Sequence, residues 1–482
     1  MAISFELIPT TNRVPGTYVE PDGSRAVSAQ PAAHHKALLI GLMSAGGSGT
    51  ANQVVEVQGE LSGDPLFGSA SQLANMIRAF RRVNRTARLY ALGVTENAAG
   101  VAATSTIALT GTATALGTLT TRHGDTRIST PVPLGMTAAD LATAHAATVN
   151  ATPRSPVTAA AASGTITFTA RHKGESGNDV TVETELRPAG ITAVDTQPTT
   201  GATNPSLATS IAGLDDTRYD TVVSGIADAA NVLLLEQELD RRWGPMVKQP
   251  GHLIVARRGT YASLITYGNG RNSPRSSVMG TGLSPTPPSI WAAQVAARDA
   301  QRCETQPNRP RNGMTLPDCE APKMGERFDG QERDALLHDG ISTYKVGPDG
   351  RVMIERLITT YQVNVQGSPD ITYLSVETVR NLADTYLDFL SLGDEHEADL
   401  IVPDGTNVDP GVPTVSPKQL KGEINARYRL RERRGLAKDP EGFAEDLVVE
   451  IDAVDPERIN AHAVPRFVNG LVTLAFKLSF QL

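Results

Sequence analysis

The most regular pattern in the chain is at its end. Val472, Leu474, Phe476, Leu478, Phe480 and Leu482 are apolar, and Thr473, Lys477, Ser479 and Gln481 between them are polar. Six alternations at period two predict a strand that runs to the last residue. The other end carries a shorter version: Ile3, Phe5 and Leu7 alternate with Ser4 and Glu6, and Pro9 stops the run. A turn through Val14-Pro15-Gly16 then leads into a second extended piece ending at Glu20. Residues 37–43 read as a buried strand and 87–94 as another, with a helix between them on which Leu73, Met76, Ile77 and Phe80 fall on one face. Ser69 or Ser71 is placed to cap that helix. After residue 204, strands at 219–224, 252–256 and 277–280 alternate with helices at 228–243, 261–267 and 290–302, a succession that predicts a parallel sheet covered on both faces.

Between these two stretches the character changes. Residues 96–204 are rich in Ala, Thr and Gly, and Phe168 is their one aromatic residue. They predict short strands and a single helix capped by Thr137, with Asp140 three residues on. The predicted fold class is therefore an α/β core, mostly a parallel sheet with flanking helices, made discontinuous (21–95 and 205–350) by an inserted, peripheral, small β-rich α+β domain (96–204). Residues 303–350 read as Pro/Gly-rich loop and 351–361 as a long strand. Helices are expected at 374–389 and from Pro417 onward, with a further strand at 447–453. The last part, 351–482, is expected to be a C-terminal α+β assembly domain whose terminal strand pairs within its own subunit or is exchanged with another, and residues 1–20 an N-terminal arm strand.

Composition narrows the chemistry. With 482 residues, 40% of them hydrophobic, the chain can form packed cores. A formal net charge of −8 argues against a general nucleic-acid coat, which needs a broad cationic face. Cys303 and Cys319 cannot make a disulfide framework, and neither has Cys or His at zinc spacing, so no metal is expected. His34-His35 is too close a pair to chelate from one helix face and reads as surface histidine. The Gly46-Gly47-Ser48-Gly49 loop follows a strand but lacks a Gly-Lys-Ser/Thr ending, and HExxH and GxSxG are absent from the sequence. No catalytic residue and no cofactor is expected. The opening MAISFELIP has no basic segment followed by a long apolar run, so no secretory signal is expected, and no apolar run approaches the ~20 residues of a membrane helix.

Charge is strongly segregated late in the chain. Eight acids and no Lys or Arg lie between Asn381 and Pro417, among them Asp384, Asp388, Glu395 and Asp399. The next block carries Lys418, Lys421, Arg427, Arg429, Arg431, Arg433, Arg434 and Lys438 against Glu423 and Glu432. A solvated helix face and a docking surface for an acidic partner both fit; nucleic acid fits less well, because stacking aromatics are scarce. The docking reading takes Lys421, Arg427, Arg429, Arg431, Arg433 and Arg434 as its residues. The chain ends suggest assembly more directly, because a terminal strand presents edges that can pair with another chain. At ~3.3 Å per residue an end strand of eleven residues reaches on the order of 35 Å, far enough to lie across a neighbour. Pairing of both ends within their own subunit is the alternative. If both ends pair with other copies, the links are heterologous and build rings or filaments.

These residues occur in an order that resembles the contractile-tail sheath proteins of bacteriophages, of the Mu-like myophage type. The resemblance rests on Arg13-Val14-Pro15-Gly16-Thr17-Tyr18-Val19-Glu20, Leu66-Phe67-Gly68-Ser69, Asp339-Gly340-Ile341-Ser342-Thr343, Leu357-Ile358-Thr359-Thr360-Tyr361 and Arg466-Phe467-Val468-Asn469. Within the insertion it rests on Thr169-Ala170-Arg171-His172-Lys173-Gly174 and Gly177-Asn178-Asp179. The resemblance implies a homo-oligomer of stacked hexameric rings around a tail tube, in which the terminal strands exchange between neighbours. The exchanging residues would be Ile3, Phe5, Leu7, Val472, Leu474, Phe476, Leu478 and Phe480. It further implies a metastable lattice that shortens when the baseplate releases it, driving the tube through a host envelope without inserting into the membrane or binding nucleic acid directly. Residues 9–16 and 465–470 would be the hinges. Its partners would be the tail tube, baseplate and tail terminator proteins; its place the virion, after assembly in the bacterial host cytoplasm. The alternatives are a sheath of a bacterial pyocin-like injection system, a non-contractile structural tail protein, or an enzyme on the α/β core.

Overall fold

A computed structural model describes residues 35–187, 189–409 and 411–481. The predicted arm at 1–20, with Ile3, Phe5, Leu7 and the hinge at 9–16, lies outside the described residues.

The chain opens its core with β1 (Lys36–Leu42), β2 (Val54–Val57), α1 (Gly63–Phe67), α2 (Gln72–Val83) and β3 (Arg88–Val94). Every residue of β1 except Lys36 is buried, as expected of a central strand covered on both faces. The Ser71 hydroxyl accepts the Ala74 N–H and fixes where α2 begins.

The insertion follows as β4 (Ala102–Gly111), β5 (Gly117–His123), β6 (Thr126–Val132), α3 (Ala138–Ala151), β7 (Val157–Ala162), β8 (Thr165–Lys173), β9 (Val182–Leu186) and β10 (Ile191–Asp195). Its strands form two antiparallel sheets, β10-β4-β8-β7 and β6-β5-β9. Ile107, Leu119, Leu141, Val149, Ile166 and Phe168 share one small core with α3. The insertion is tied to the α/β core by Arg122–Glu320 (2.5 Å), Lys323–Glu183 (3.2 Å) and Arg154–Asp64 (3.2 Å). At its neck His172 accepts the first N–H of α2, from Gln72, and pairs with Glu96.

The core resumes with α4 (Ala208–Ala212), β11 (Thr221–Ser224), α5 (Ala229–Trp243), β12 (His252–Arg257), α6 (Tyr261–Asn269), β13 (Ser276–Gly280), α7 (Pro288–Thr305), α8 (Gly330–His338), β14 (Ile341–Val346) and β15 (Val352–Arg356). One eight-stranded sheet runs in the order β15-β14-β13-β12-β11-β1-β3-β2. It is parallel except at its two edges, where β15 and β2 pair antiparallel. The two faces of β1 sort cleanly: Ala37 and Leu39 join α2 and the Trp291 helix α7, whereas Leu38, Ile40 and Leu42 join α5 and Leu264 of α6.

Three expectations need correction. The span 303–350 is not all loop, since it holds α8, opened by a reciprocal capping box between Asp329 and Glu332, and β14. The strand expected at 351–361 stops at Arg356 and is the edge of the core sheet, so the boundary at 350/351 cuts through that sheet. His35 is buried rather than on the surface, with Nε2 2.8 Å from the Thr221 hydroxyl.

The last part is built from α9 (Val376–Glu395), β16 (Leu400–Ile401), β17 (Thr414–Val415), α10 (Pro417–Arg433), α11 (Pro440–Asp446), β18 (Val448–Ile451) and β19 (Ile459–His462). Its own small core gathers Leu392, Ile424, Tyr428, Phe443 and Leu447. Among the described residues no helix is long and apolar enough to cross a membrane.

Candidate assembly surface

The C-terminal segment leaves this small core in two stages. Residues 466–470 are held. Lys438 donates its N–H to the Arg466 carbonyl (2.9 Å), Val468 donates to the Leu436 carbonyl (3.3 Å), and the Tyr428 hydroxyl accepts the Arg466 N–H (2.9 Å). The Arg466 guanidinium pairs with both Asp439 and Asp446. Beneath them the Tyr428 and Phe443 rings stack with centroids 3.7 Å apart. The proposed hinge at 465–470 is therefore mostly anchored, and the chain becomes free beyond Gly470, which rests against Pro310.

From Leu471 to Gln481 every residue is exposed and none forms a strand. Phe476 is 80% exposed, Leu478 92% and Phe480 84%, with Val472 and Leu474 also open to solvent. An apolar side chain of this size gains about 1.5–3 kcal/mol on full burial. Five such residues on alternate positions of one terminal segment leave an unusually large apolar row in solvent.

The same region offers an edge to pair with. Strands β18 and β19 form an isolated two-stranded sheet, and no third strand joins it among the described residues. Val448 on β18 and Val454 in the turn that follows it are exposed. A lone hairpin of this kind gains stability from an added strand.

The basic residues divide into two groups. Arg431 is buried, pairs with Asp384 (2.8 Å) and Asp388 (3.4 Å), and donates to Asn381 and Thr385. Arg427 pairs with Asp388 (3.1 Å) and Glu395 (2.5 Å), and Lys421 donates to the Leu447 carbonyl (2.6 Å). Through Arg427 and Arg431 the acidic block satisfies part of the basic one within the chain, helix α9 against α10. Arg429, Arg433 and Arg434 remain exposed at the far end of α10. His396 sits between Asp399 (2.7 Å) and Glu423 (2.6 Å), and the hydrogen bond to Asp399, helped by Glu423, raises its pKa.

The glycine loop holds no phosphate cradle. The N–H groups of Ser48 and Gly49 are already donated to the carbonyls of Pro65 and Leu66, at 2.9 and 2.7 Å. Among the described residues no group of three His, Cys, Asp or Glu is arranged to hold a metal ion.

Comparison with known proteins gives a consistent result. Residues 200–360 match the family model for the phage tail sheath protein central domain. The Mu-like prophage FluMu tail sheath protein of Haemophilus influenzae is 35% identical over 490 aligned positions that span all of both chains. Among solved structures, a chain of the anti-feeding prophage baseplate superposes with a TM-score of 0.50 at 10% identity, covering 98% of this chain and 100% of that one. A sheath tail protein from Desulfitobacterium hafniense gives 0.49 at 13% identity, over 94% of this chain and 100% of its own.

Proposed function

Because the chain belongs to the contractile phage tail sheath proteins, in their Mu-like branch, we propose that its copies stack as hexameric rings around a tail tube and contract to drive that tube through the host envelope. The observation that carries this reading is the anchored root and free apolar length of residues 471–481. A segment fixed at Gly470 and unpaired beyond it is suited to complete a sheet on another copy through its main chain, with Val472, Leu474, Phe476, Leu478 and Phe480 filling one face. The β18–β19 hairpin of a neighbour, whose edges no other strand of the described residues covers, could receive it. Ile3, Phe5 and Leu7 would do the same from the other end.

Each ladder hydrogen bond is worth only about 0.5–1.5 kcal/mol net. One link is weak, and many repeated through a lattice hold subunits together while the folded bodies rotate. Contraction then draws on better packing in the shorter of two lattice states and needs no bound fuel. The docking surface for the tube, or for the acidic face of a neighbour, narrows to Arg429, Arg433 and Arg434. Lys421, Arg427 and Arg431 shape α10 from within the chain. Baseplate and tail terminator proteins would cap the two ends of the sheath in the virion, after assembly in the host cytoplasm.

Negative-stain electron microscopy of the concentrated chain, with and without its tail tube, tests the proposal. Hollow striated tubes alone, and longer-pitched ones on the tail tube, are expected. A chain ending at Gly470 should form neither. Dispersed particles at every concentration, with the tail tube present, would overturn it.

A further inference from the structure

A line of buried polar groups runs through the molecule from the start of β1 to the root of the C-terminal segment, and the assembly reading makes no use of it. His35, the first described residue, meets the Thr221 hydroxyl at 2.8 Å. That hydroxyl also accepts from Arg380 Nη2 (2.7 Å), while Arg380 Nη1 donates to the Asp220 carbonyl (2.5 Å). The same Arg380 Nη2 pairs with one carboxylate oxygen of Asp299 on α7. The other oxygen accepts from Arg311 Nε (2.9 Å) and lies 2.8 Å from its Nη2. Asp299 and Arg311 are completely buried. Arg311 goes on to donate Nη1–H to the Pro307 carbonyl (2.6 Å). The next residue, Asn308, donates its amide to the carbonyls of Gly435 (2.8 Å) and Val468 (3.2 Å). Val468 lies in the anchored root.

Ions buried this deeply are poor stabilisers compared with apolar residues of the same size, so their presence calls for another reason. Burial works against the charged form of Asp299, but Arg380 and Arg311 outweigh it and hold its carboxyl well below the usual range. Burial lowers the pKa values of His35 and His252 beside them. Asp299, Arg311 and Arg380 are each bonded on at least two sides, so none of their own bonds can open without leaving a buried charge short of a partner.

We propose that Arg380, Asp299 and Arg311 form a strut that couples the root of the C-terminal segment to the start of β1. Tension on either chain end would then pass through directional ion pairs across the core and not through deformable apolar contacts. The mechanical role rests on the strand-exchange reading; the coupling itself does not.

Hydrogen exchange on the full chain tests the coupling. The reporters are the Lys438 and Val468 amides, which bond to Arg466 and Leu436 at the far end of the line. Thr221→Val removes the hydroxyl that joins His35 to Arg380 at nearly constant volume. It should speed exchange at both reporters by roughly fivefold or more, as expected when a local opening shares one cooperative unit with the site changed. Combining it with Asn308→Ala should give a non-additive effect. Asp299→Asn should act in the same direction, and if it fails to fold, Arg380→Lys replaces it. Reporter amides that keep their rates while Arg88, which bonds to the His35 carbonyl, speeds up would reduce the cluster to local packing and overturn the strut. In assembled tubes Arg380→Lys should lower the denaturant concentration at which tubes fall apart without preventing their formation. Tubes as resistant as wild type would remove the mechanical role. A wild-type chain that never forms tubes would instead overturn strand exchange, and the exchange rates would still decide the coupling.

Discussion

Lowering the pH from 7 to 5 should loosen the inserted module, and the size of the effect follows from two histidines in its core. His145 and His123 are both fully buried. His145 uses both ring nitrogens, Nε2 on the Thr121 hydroxyl and Nδ1 on the Thr130 hydroxyl, each at 2.8 Å. His123 bonds Thr121 at 3.0 Å and lies against the Phe168 ring at 4.4 Å. Burial pushes the pKa of His145 down to about 4; burial and then the neighbouring His145 push His123 down to about 3. Both folded values lie below the unfolded value of about 6.5, so the unfolded chain takes up protons first. Stability is complete above about pH 6.5 and is lost as the pH falls toward the folded values. The slope is about 1.36 kcal/mol per pH unit for each group. At pH 5 that comes to about 2 kcal/mol for each histidine, or about 4 kcal/mol for the pair. His35 and His252 shift in the same direction elsewhere in the chain, so the readout must be local. Hydrogen exchange at β5 and β6, corrected for the intrinsic effect of pH, should show the opening equilibrium rising by about a thousandfold between pH 7 and pH 5. His145→Gln keeps a donor and an acceptor but cannot take the proton, so it should remove about half of the pH slope. A slope that His145→Gln leaves untouched would refute the assignment.

Three further outcomes are expected. Arg431→Ala removes the partner of buried Asn381 and Thr385, while half-exposed Asp384 keeps water and Asp388 keeps Arg427, so it should cost about 1–3 kcal/mol, read as a lower denaturation midpoint, whereas Arg429→Glu with Arg433→Glu should leave the midpoint in place and weaken assembly on the tail tube. In Gly177→Ala the new Cβ would sit 2.8 Å from the Ala170 Cβ and 2.9 Å from the Ala103 Cβ, an overpacking that should cost about 1–3 kcal/mol and make the module easier to cleave by limited proteolysis. His396, whose pKa is raised by Asp399 and Glu423, contributes stability that is complete below about pH 6.5 and is lost as pH rises through its folded value. An NMR titration should place its midpoint above 6.5, and a midpoint at or below that value would contradict the bridging geometry.

What the sequence disclosed depended on how far apart the cooperating residues lie. Helix α2 was legible because Leu73, Met76, Ile77 and Phe80 repeat within one short window and Ser71 stands in front of them. The alternation at 472–481 is as regular, but it forms no strand within the described chain, where its apolar residues stay exposed. Helix α8 and strand β14 were missed because proline and glycine dominate the surrounding span, although Asp329 with Glu332 is a local helix-start signal and 341–346 a run of strand formers. Strand β15 was assigned to the wrong side of a boundary because pairing with β14 depends on register between segments and not on composition. The charge blocks were visible, but their mutual pairing was not inferred. It could have been, since Asp384 and Asp388 on one helix and Arg427 and Arg431 on the other share the same four-residue spacing. The line from His35 through Thr221, Arg380, Asp299 and Arg311 has no such signal. Its members come from five separate segments, and only the closed sheet and the packing of α7 and α9 bring them together.

The chain reverses the usual partition of residues in two places. It leaves Leu474, Phe476, Leu478 and Phe480 in solvent at its end, and it buries Asp299, Arg311 and Arg380 at its centre. Each reversal is costly for a single subunit, since apolar surface stays wet and charge stays dry. The two are linked through Asn308 and Val468, where the buried line reaches the root of the exposed segment. A subunit built only for its own stability would cover the first and replace the second with leucines. One that must hold neighbours by its ends while its body turns needs an open strand outside and a stiff, directional connection inside. On the proposed function, both costs are met by the lattice and not by the lone chain.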